Sequence, residues 1–98
     1  MKFIKSRIND VFNIIPEPFV DDRGIFRRHF CHKEFETNGI TNKVEQANIS
    51  ENNYPHTLRG FHYQIYPHQE GKTLSCIKGK IYDVILDLRR ARKKFLMK

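Results

Sequence analysis

A chain of 98 residues, 39% hydrophobic and 30% charged, is long enough for one small domain with a thin core. It contains no apolar run of membrane-spanning length and no sustained apolar region at its N-terminus. We therefore expect a cytoplasmic protein with no membrane partner and no signal peptide. The formal net charge of +7 comes mostly from a basic tail after Leu88, and the rest of the chain is close to neutral.

The basic tail, residues 89–98, has two interpretations. Such a run is typical of a solvated chain end, and it is also the one feature that suggests a nucleic-acid binder. No aromatic residue interleaves with its basic residues before Phe95, so stacking on bases has little support. We therefore expect no nucleic-acid partner.

The first part of the sequence predicts short strands separated by turns. Residues 3–4 and 11–15 are strand candidates, and the prolines at 16 and 18 exclude a long helix directly after them. Residues 22–24 have the composition of a turn or bulge, and residues 25–30 predict the next strand. These elements are typical of β-hairpins.

One stretch predicts a helix, residues 32–38, and Gly39 is suited to cap its C-terminus. Further strands are predicted at 44–50, 58–64, 73–77 and 80–88, and the last of these shows the clearest alternation. Many short strands, regular turns and at most one short helix predict an all-β fold, an antiparallel sandwich or barrel.

The residues best suited to chemistry lie between 57 and 80. His62 is on a predicted strand, and histidine is the side chain most easily used as a base near neutral pH. The pattern alone also fits a packed, hydrogen-bonded histidine. Lys72 has the inward parity of the next strand, which is costly unless it meets an anion or a cavity, or else it lies in the loop and points to water. Arg59 has the opposite parity to His62, so either a bulge at Gly60 changes the alternation or the two serve different places.

A metal site is not expected. The sequence has no H-x-H pair, and Gln64, two residues after His62, is a poor ligand. Cys31 and Cys76 are not part of a C-x-x-C pair. The chain also lacks a Gly-rich phosphate loop and a Ser-His-Asp order.

Several linked motifs carry a family resemblance, and they occur in one order over nearly the whole chain. They are DRGIF at 22–26, QANIS at 46–50, LRGFHYQ at 58–64, PHQEGK at 67–72, GKIYDV at 79–84 and DLR at 87–89. With them the sequence resembles the dTDP-4-dehydrorhamnose 3,5-epimerases, sugar-nucleotide epimerases of the cupin superfamily.

The resemblance implies a jelly-roll barrel, of which residues 1–98 form the N-terminal part of a single domain. It also implies a homodimer with exchanged N-terminal strands and a substrate in which dTDP is linked to a 4-keto-6-deoxy sugar. No cofactor and no metal are expected. The ketone acidifies the neighbouring C–H bonds at C3 and C5, which a base, a cation and an acid then epimerise.

The resemblance also implies the roles of particular residues. His62 is the expected base, and Lys72 is expected to stabilise the enolate oxygen. Arginines hold the phosphates, an aromatic ring packs on the nucleotide and amides hydrogen-bond the ligand. The substrate-binding residues implied in this way are Arg23, Phe26, Gln46, Asn48 and Arg59. The first two are expected to reach across the dimer.

Two departures from the family pattern affect these expectations. Arg28 stands where the family usually has Glu, which reverses the charge beside the nucleotide site. Family members are also nearly twice as long, so we expect a truncated chain that lacks the segment with the tyrosine acid. No motif assigns that acid to Tyr63 or Tyr82. The alternative function is a non-catalytic module that binds the dTDP-sugar or mediates dimerisation.

Overall fold

The computed structural model of the protein describes residues 1–41 and 43–89. Its regular elements, all in the first part of the chain, are strands β1 (Lys2–Lys5), β2 (Phe12–Ile15), β3 (Phe19–Asp21) and β4 (Gly24–Phe26), and helix α1 (His32–Thr37). The strands form two separate antiparallel pairs, β1 with β2 and β3 with β4. Antiparallel strands with one short helix confirm the coarse all-β prediction.

The first hairpin is joined by a turn over residues 6–11 that is closed by its own hydrogen bonds. The amide of Ser6 donates to the carbonyl of Val11 at 3.0 Å, and the Ser6 hydroxyl accepts from the amide of Ile8 at 3.1 Å. Asp10 has a φ of 68°, a left-handed conformation that aspartate tolerates better than most residues. The register of this hairpin pairs Lys2 with Ile15 at its open end. The residue after Ile15 is a proline, which has no N–H to donate to a β-ladder.

The second hairpin is shorter than the sequence predicts. Its register pairs Phe19 with Phe26 and Asp21 with Gly24, so the strand predicted over 25–30 ends at Phe26. The residue before Phe19 is Pro18, and a proline, which has no N–H, is typical of the end of a strand. At the turn, the carboxylate of Asp21 accepts from the amide of Arg23 at 2.9 Å, which stabilises the reversal.

Helix α1 carries the one buried hydrophobic residue of the described chain, Phe35, which is 4% exposed. Its ring packs edge-on against Phe3 of β1 and Phe30, with centroids 5.3 and 4.8 Å apart. Gly39 ends the helix with a φ of 86°, and its amide donates to the carbonyl of Glu36. The amide of Ile40 donates to Phe35, which completes a Schellman cap and confirms the predicted role of Gly39.

The four strands predicted after residue 43 are not formed. Among the residues that the structure describes, none beyond β4 lies in a hydrogen-bonded strand, and no closed barrel is present. Their apolar side chains are exposed, with Leu58 at 93% and Tyr82 at 94%. Sequence alternation predicts which side chains share a face, but a strand is held by the backbone groups of a neighbouring strand, and these segments have no such neighbour within the described ranges.

Two further expectations concern the whole chain. None of the helices in the described ranges is long and apolar enough to cross a membrane. The basic tail was predicted over residues 89–98. Apart from Arg89, these residues lie outside the described part of the chain.

Candidate functional site

An open cavity of about 330 Å³ brings together the two residues predicted to do the chemistry. It is lined by Phe61, His62, Tyr63, Gln64 and Lys72. His62 is exposed, so the interpretation of a packed core histidine is wrong. The imidazole and the ammonium group are both accessible to a ligand in this cavity. Their roles in catalysis stay predictions.

The loop between the two residues returns the chain to the cavity. The amide of His68 donates to the carbonyl of Ile65 at 2.8 Å, which closes a turn in this loop. After the turn, Nζ of Lys72 lies 3.8 Å from Oε1 of Glu70, and both side chains are more than half exposed. An exposed pair at this distance contributes little, so the ammonium group remains available to an anionic ligand.

Three lining residues were missed as site residues from the sequence: Phe61, Tyr63 and Gln64. Gln64 could have been found, because it shares the strand parity of His62 in the LRGFHYQ motif. Phe61 and Tyr63 have the opposite parity, and in a regular strand they would point away from His62. They line the same cavity because residues 61–64 do not form a regular strand.

Arg59 does not line the cavity. Its Nε donates to Oδ1 of Asn52 at 2.7 Å, which directs the guanidinium toward residues that precede the site. Between Arg59 and the lining residues, Gly60 has a φ of 109°, a conformation that interrupts strand alternation and favours glycine. From the sequence, either a bulge at Gly60 changes the strand alternation or Arg59 and His62 serve different sites. In the structure the backbone at Gly60 is irregular, and Arg59 also lies outside the cavity that His62 lines.

The other predicted binding residues also lie outside the cavity. Arg23, 87% exposed in the β3–β4 turn, donates from Nη2 to Oδ2 of Asp21 at 2.8 Å. This bond lowers the pKa of the Asp21 carboxyl below its usual value. Phe26 at the end of β4 is exposed, and so are Gln46 and Asn48. The structure thus groups the two predicted catalytic residues and leaves the five predicted binding residues apart from them.

The side chains of His62 and Lys72 are of types suited to proton transfer beside a carbonyl. An imidazole can remove an acidic C–H proton, and an ammonium group can hold the oxyanion that results. Among the described residues, no group of three or more His, Cys, Asp or Glu side chains is arranged to hold a metal ion.

Comparisons with known proteins relate the chain to one family. A family model described as dTDP-4-dehydrorhamnose 3,5-epimerase matches residues 5–97. A dTDP-4-dehydrorhamnose 3,5-epimerase of Shigella flexneri is 39% identical over 97 residues, 97% of this chain and 52% of that protein. One of the same name from Methanothermobacter thermautotrophicus is 37% identical, over 91% of this chain and 47% of that protein.

A relative with a narrower name also matches. A dTDP-4-dehydrorhamnose 3-epimerase of Streptomyces niveus is 34% identical over 84% of this chain and 40% of its own length. The chain spans about half the length of the first curated relatives it matches. No solved structure matches it.

Proposed function

Because the chain belongs to the dTDP-4-dehydrorhamnose 3,5-epimerase family, we propose that it acts in the epimerisation of dTDP-4-dehydro-6-deoxy-D-glucose at C3 and C5. The observation that carries the proposal is the cavity that His62 and Lys72 line together. Epimerisation beside a ketone requires a base and a group that holds the enolate oxygen, and these two side chains have that chemistry.

In the proposed reaction, the imidazole of His62 removes the proton from C3 or C5. The electron pair of the broken C–H bond forms a C=C bond, and the ketone oxygen becomes an enolate oxygen held by Lys72. Return of a proton to the opposite face of the same carbon restores the ketone with inverted configuration. The step is neither an oxidation nor a reduction, so the proposal includes no cofactor.

Substrate binding in this proposal uses residues that now lie apart from the cavity. Arg23 and Arg59 are exposed, and each is held by a neighbouring polar side chain, Asp21 and Asn52. Guanidinium groups placed in this way are suited to bind a diphosphate through charge-assisted hydrogen bonds. Phe26, with 73% of its surface exposed, would pack on the nucleotide, and the amides of Gln46 and Asn48 would hydrogen-bond the ligand.

Assembly into a jelly roll and a homodimer completes the proposal. The β3–β4 hairpin exposes Phe19, Val20 and Ile25 to solvent, and the segment after residue 43 exposes apolar side chains throughout. Apolar surface of this extent is typical of an interface. Pairing of the extended segments in a cupin-type barrel, with residues 1–98 as its N-terminal part, would bury it. Exchange of the hairpin between subunits would carry Arg23 and Phe26 to a partner's cavity. We place this homodimer in the cytoplasm.

The test follows solvent deuterium. The chain is incubated with dTDP-4-dehydro-6-deoxy-D-glucose in deuterated water, and deuterium at C3 and C5 is read by NMR. We expect uptake by the unaltered chain and a loss of about 100-fold or more in His62→Gln, the range for a general base. His29→Gln, an exposed histidine outside the cavity, is the matched control. Absence of uptake by the unaltered chain would contradict the proposal, and dTDP binding without uptake would favour a non-catalytic binding module.

A further inference from the structure

Arg59 and Asn52 meet because the chain reverses direction between them. The hydroxyl of Thr57 donates to the carbonyl of Tyr54 at 2.7 Å, and His56 has a φ of 64°, a left-handed conformation that histidine adopts more readily than most residues. After this reversal, Nε of Arg59 donates to Oδ1 of Asn52 at 2.7 Å. The guanidinium is therefore held against a turn that has a hydrogen bond of its own.

The hydrogen bond to Asn52 leaves the end of the Arg59 side chain open. A guanidinium has five N–H donors, and this bond uses the one on Nε. Nη1 and Nη2 donate to no other residue that the structure describes. These two nitrogens form the fork that binds two phosphate oxygens at once. Arg59 is thus fixed at Nε while its fork is open to a diphosphate.

The neutral partner of Arg59 distinguishes it from other arginines in the described ranges. Those that also have side-chain hydrogen bonds, Arg23, Arg28 and Arg89, each donate to a carboxylate. A carboxylate offsets the charge of the guanidinium and repels an incoming phosphate, whereas the amide of Asn52 carries no net charge. Arg59 is therefore oriented without any loss of its positive charge.

Arg23, the second arginine predicted to hold the phosphates, shows the contrast directly. Its Nε and Nη2 both donate to Oδ2 of Asp21, at 3.3 and 2.8 Å, so the carboxylate occupies one side of the fork. A phosphate that approaches Arg23 meets a negative charge already in place. Of the two arginines, Arg59 is therefore the better prepared to bind a diphosphate.

From these contacts we propose that Asn52 is a positioning residue, whose amide oxygen orients the guanidinium of Arg59 and leaves its charge uncompensated. Arg59 then supplies more of the affinity for the diphosphate than Arg23 does. This inference rests on the proposed function, because it concerns the diphosphate of the same dTDP-sugar. Asn52 acts through Arg59 and does not itself contact the ligand.

The experiment measures the dissociation constant for dTDP by isothermal titration calorimetry. Asn52→Ala removes the acceptor and should weaken binding by about three- to tenfold, the effect of one hydrogen bond. Asn52→Asp keeps an acceptor for Nε but adds a negative charge, so it should weaken binding by about tenfold. Asn53→Ala is the matched control, because this exposed neighbour has no side-chain hydrogen bond within the described part of the chain. It should bind dTDP like the unaltered chain.

Two further measurements separate positioning of Arg59 from a general loss of structure. In an Arg59→Ala chain, Asn52→Ala should have no additional effect on dTDP binding, because the side chain that Asn52 orients is gone. Arg59→Ala itself should weaken dTDP binding by about tenfold to 100-fold, and Arg23→Ala by less than about fivefold. Affinity for thymidine, which lacks the diphosphate, should be the same in Asn52→Ala and the unaltered chain, whereas a disrupted fold would weaken both ligands.

The outcomes distinguish this inference from the proposed function. Unchanged dTDP affinity in Asn52→Ala overturns the inference, and so does an effect that persists in the Arg59→Ala chain or extends to thymidine. A larger loss in Arg23→Ala than in Arg59→Ala, or no dTDP binding by the unaltered chain, overturns it as well. Epimerisation is decided separately by deuterium uptake. Absence of uptake in a chain whose Asn52 variants behave as expected overturns the proposed function and leaves a diphosphate-binding site.

Discussion

Nη1 of Arg28 donates to Oε2 of Glu34 at 2.8 Å, and this bond joins the segment after β4 to the first turn of α1. The other carboxylate oxygen of Glu34 accepts from the α-ammonium group of Met1 at 3.0 Å. The charge of Arg28 is thus paired with a carboxylate of the same chain. These bonds, with the one from Arg28 as the largest cause, lower the pKa of Glu34 below its ordinary value.

The Glu34 network predicts a loss of stability on the acid side. A carboxyl whose pKa is lowered on folding stabilises the protein above its unfolded pKa, and this contribution disappears as the pH falls through the folded pKa. Glu34→Gln should lower the free energy of unfolding at pH 7, and the difference from the unaltered chain should shrink as the pH falls below 4.5, the ordinary value. Urea unfolding at several pH values measures this. Glu36→Gln, on the exposed side of the helix, is the control, and equal pH dependence in the two variants would contradict the prediction.

Phe35 is expected to hold the N-terminal unit together. Its buried ring is the contact between α1, β1 and Phe30, so truncation removes packing that exposed rings do not supply. Phe35→Ala should lower the free energy of unfolding by about 3 kcal/mol or more, the usual cost for a buried phenylalanine. Phe19→Ala, at a site 76% exposed, should cost well under 1 kcal/mol. Similar losses in both variants, measured by urea unfolding, would show that Phe35 is not the core.

Arg89 and Asp10 are far apart in the sequence, and we expect their contact to stabilise the turn that contains Asp10. Its guanidinium donates to Oδ2 of Asp10 at 2.9 Å and to the carbonyl of Asn9 at 2.7 Å, while Asp87 accepts from Nε at 2.9 Å. Hydrogen bonds to these carboxylates, Asp87 first, raise the pKa of Arg89 above its usual range. Arg89→Lys and Asp10→Asn should each increase amide exchange in the turn over residues 6–11, because lysine cannot span both carboxylates.

A double-mutant cycle tests whether Arg89 and Asp10 protect the turn through their contact with each other. If Arg89 and Asp10 act as a pair, the double variant should exchange no faster than the more affected single variant. Arg7→Lys, an exposed arginine of the same turn, is the control for a general effect of charge replacement. Effects of the two single variants that multiply in the double variant would mean that the two residues act independently.

Lys72 is expected to matter more for the reaction than for binding. Lys72→Met keeps an unbranched side chain, one atom shorter, and removes the ammonium group that would hold the enolate oxygen. Deuterium uptake should fall by about 100-fold to 1,000-fold, the cost of losing one oxyanion donor, while the affinity for dTDP falls by less than about tenfold. Glu70→Gln leaves the ammonium group in place and removes its neighbour at 3.8 Å, so its uptake should remain near that of the unaltered chain. Equal losses in both variants would argue against the enolate role.

Local sequence determined much of the N-terminal region. Interactions between residues a few positions apart form the two hairpins, whose strands end beside prolines. They also form the helix over His32–Thr37 and its glycine cap. The same is true of His62 and Lys72, which a single short loop returns to one cavity. Family membership was also readable, because linked motifs carry it without reference to contacts.

Tertiary structure alone decided the long-range partners. The strand predicted most clearly, over residues 80–88, joins no β-ladder among the residues that the structure describes, since alternation says nothing about which backbone lies alongside. The bonds of Arg28 to Glu34 and of Arg89 to Asp10 could not be predicted, because charged side chains have many partners of similar energy at the surface. The cavity position of Tyr63 depended on an irregular backbone that strand parity does not describe. Local sequence rules act through a few neighbouring dihedral angles. The long-range contacts depend instead on how segments distant in the sequence are placed relative to one another.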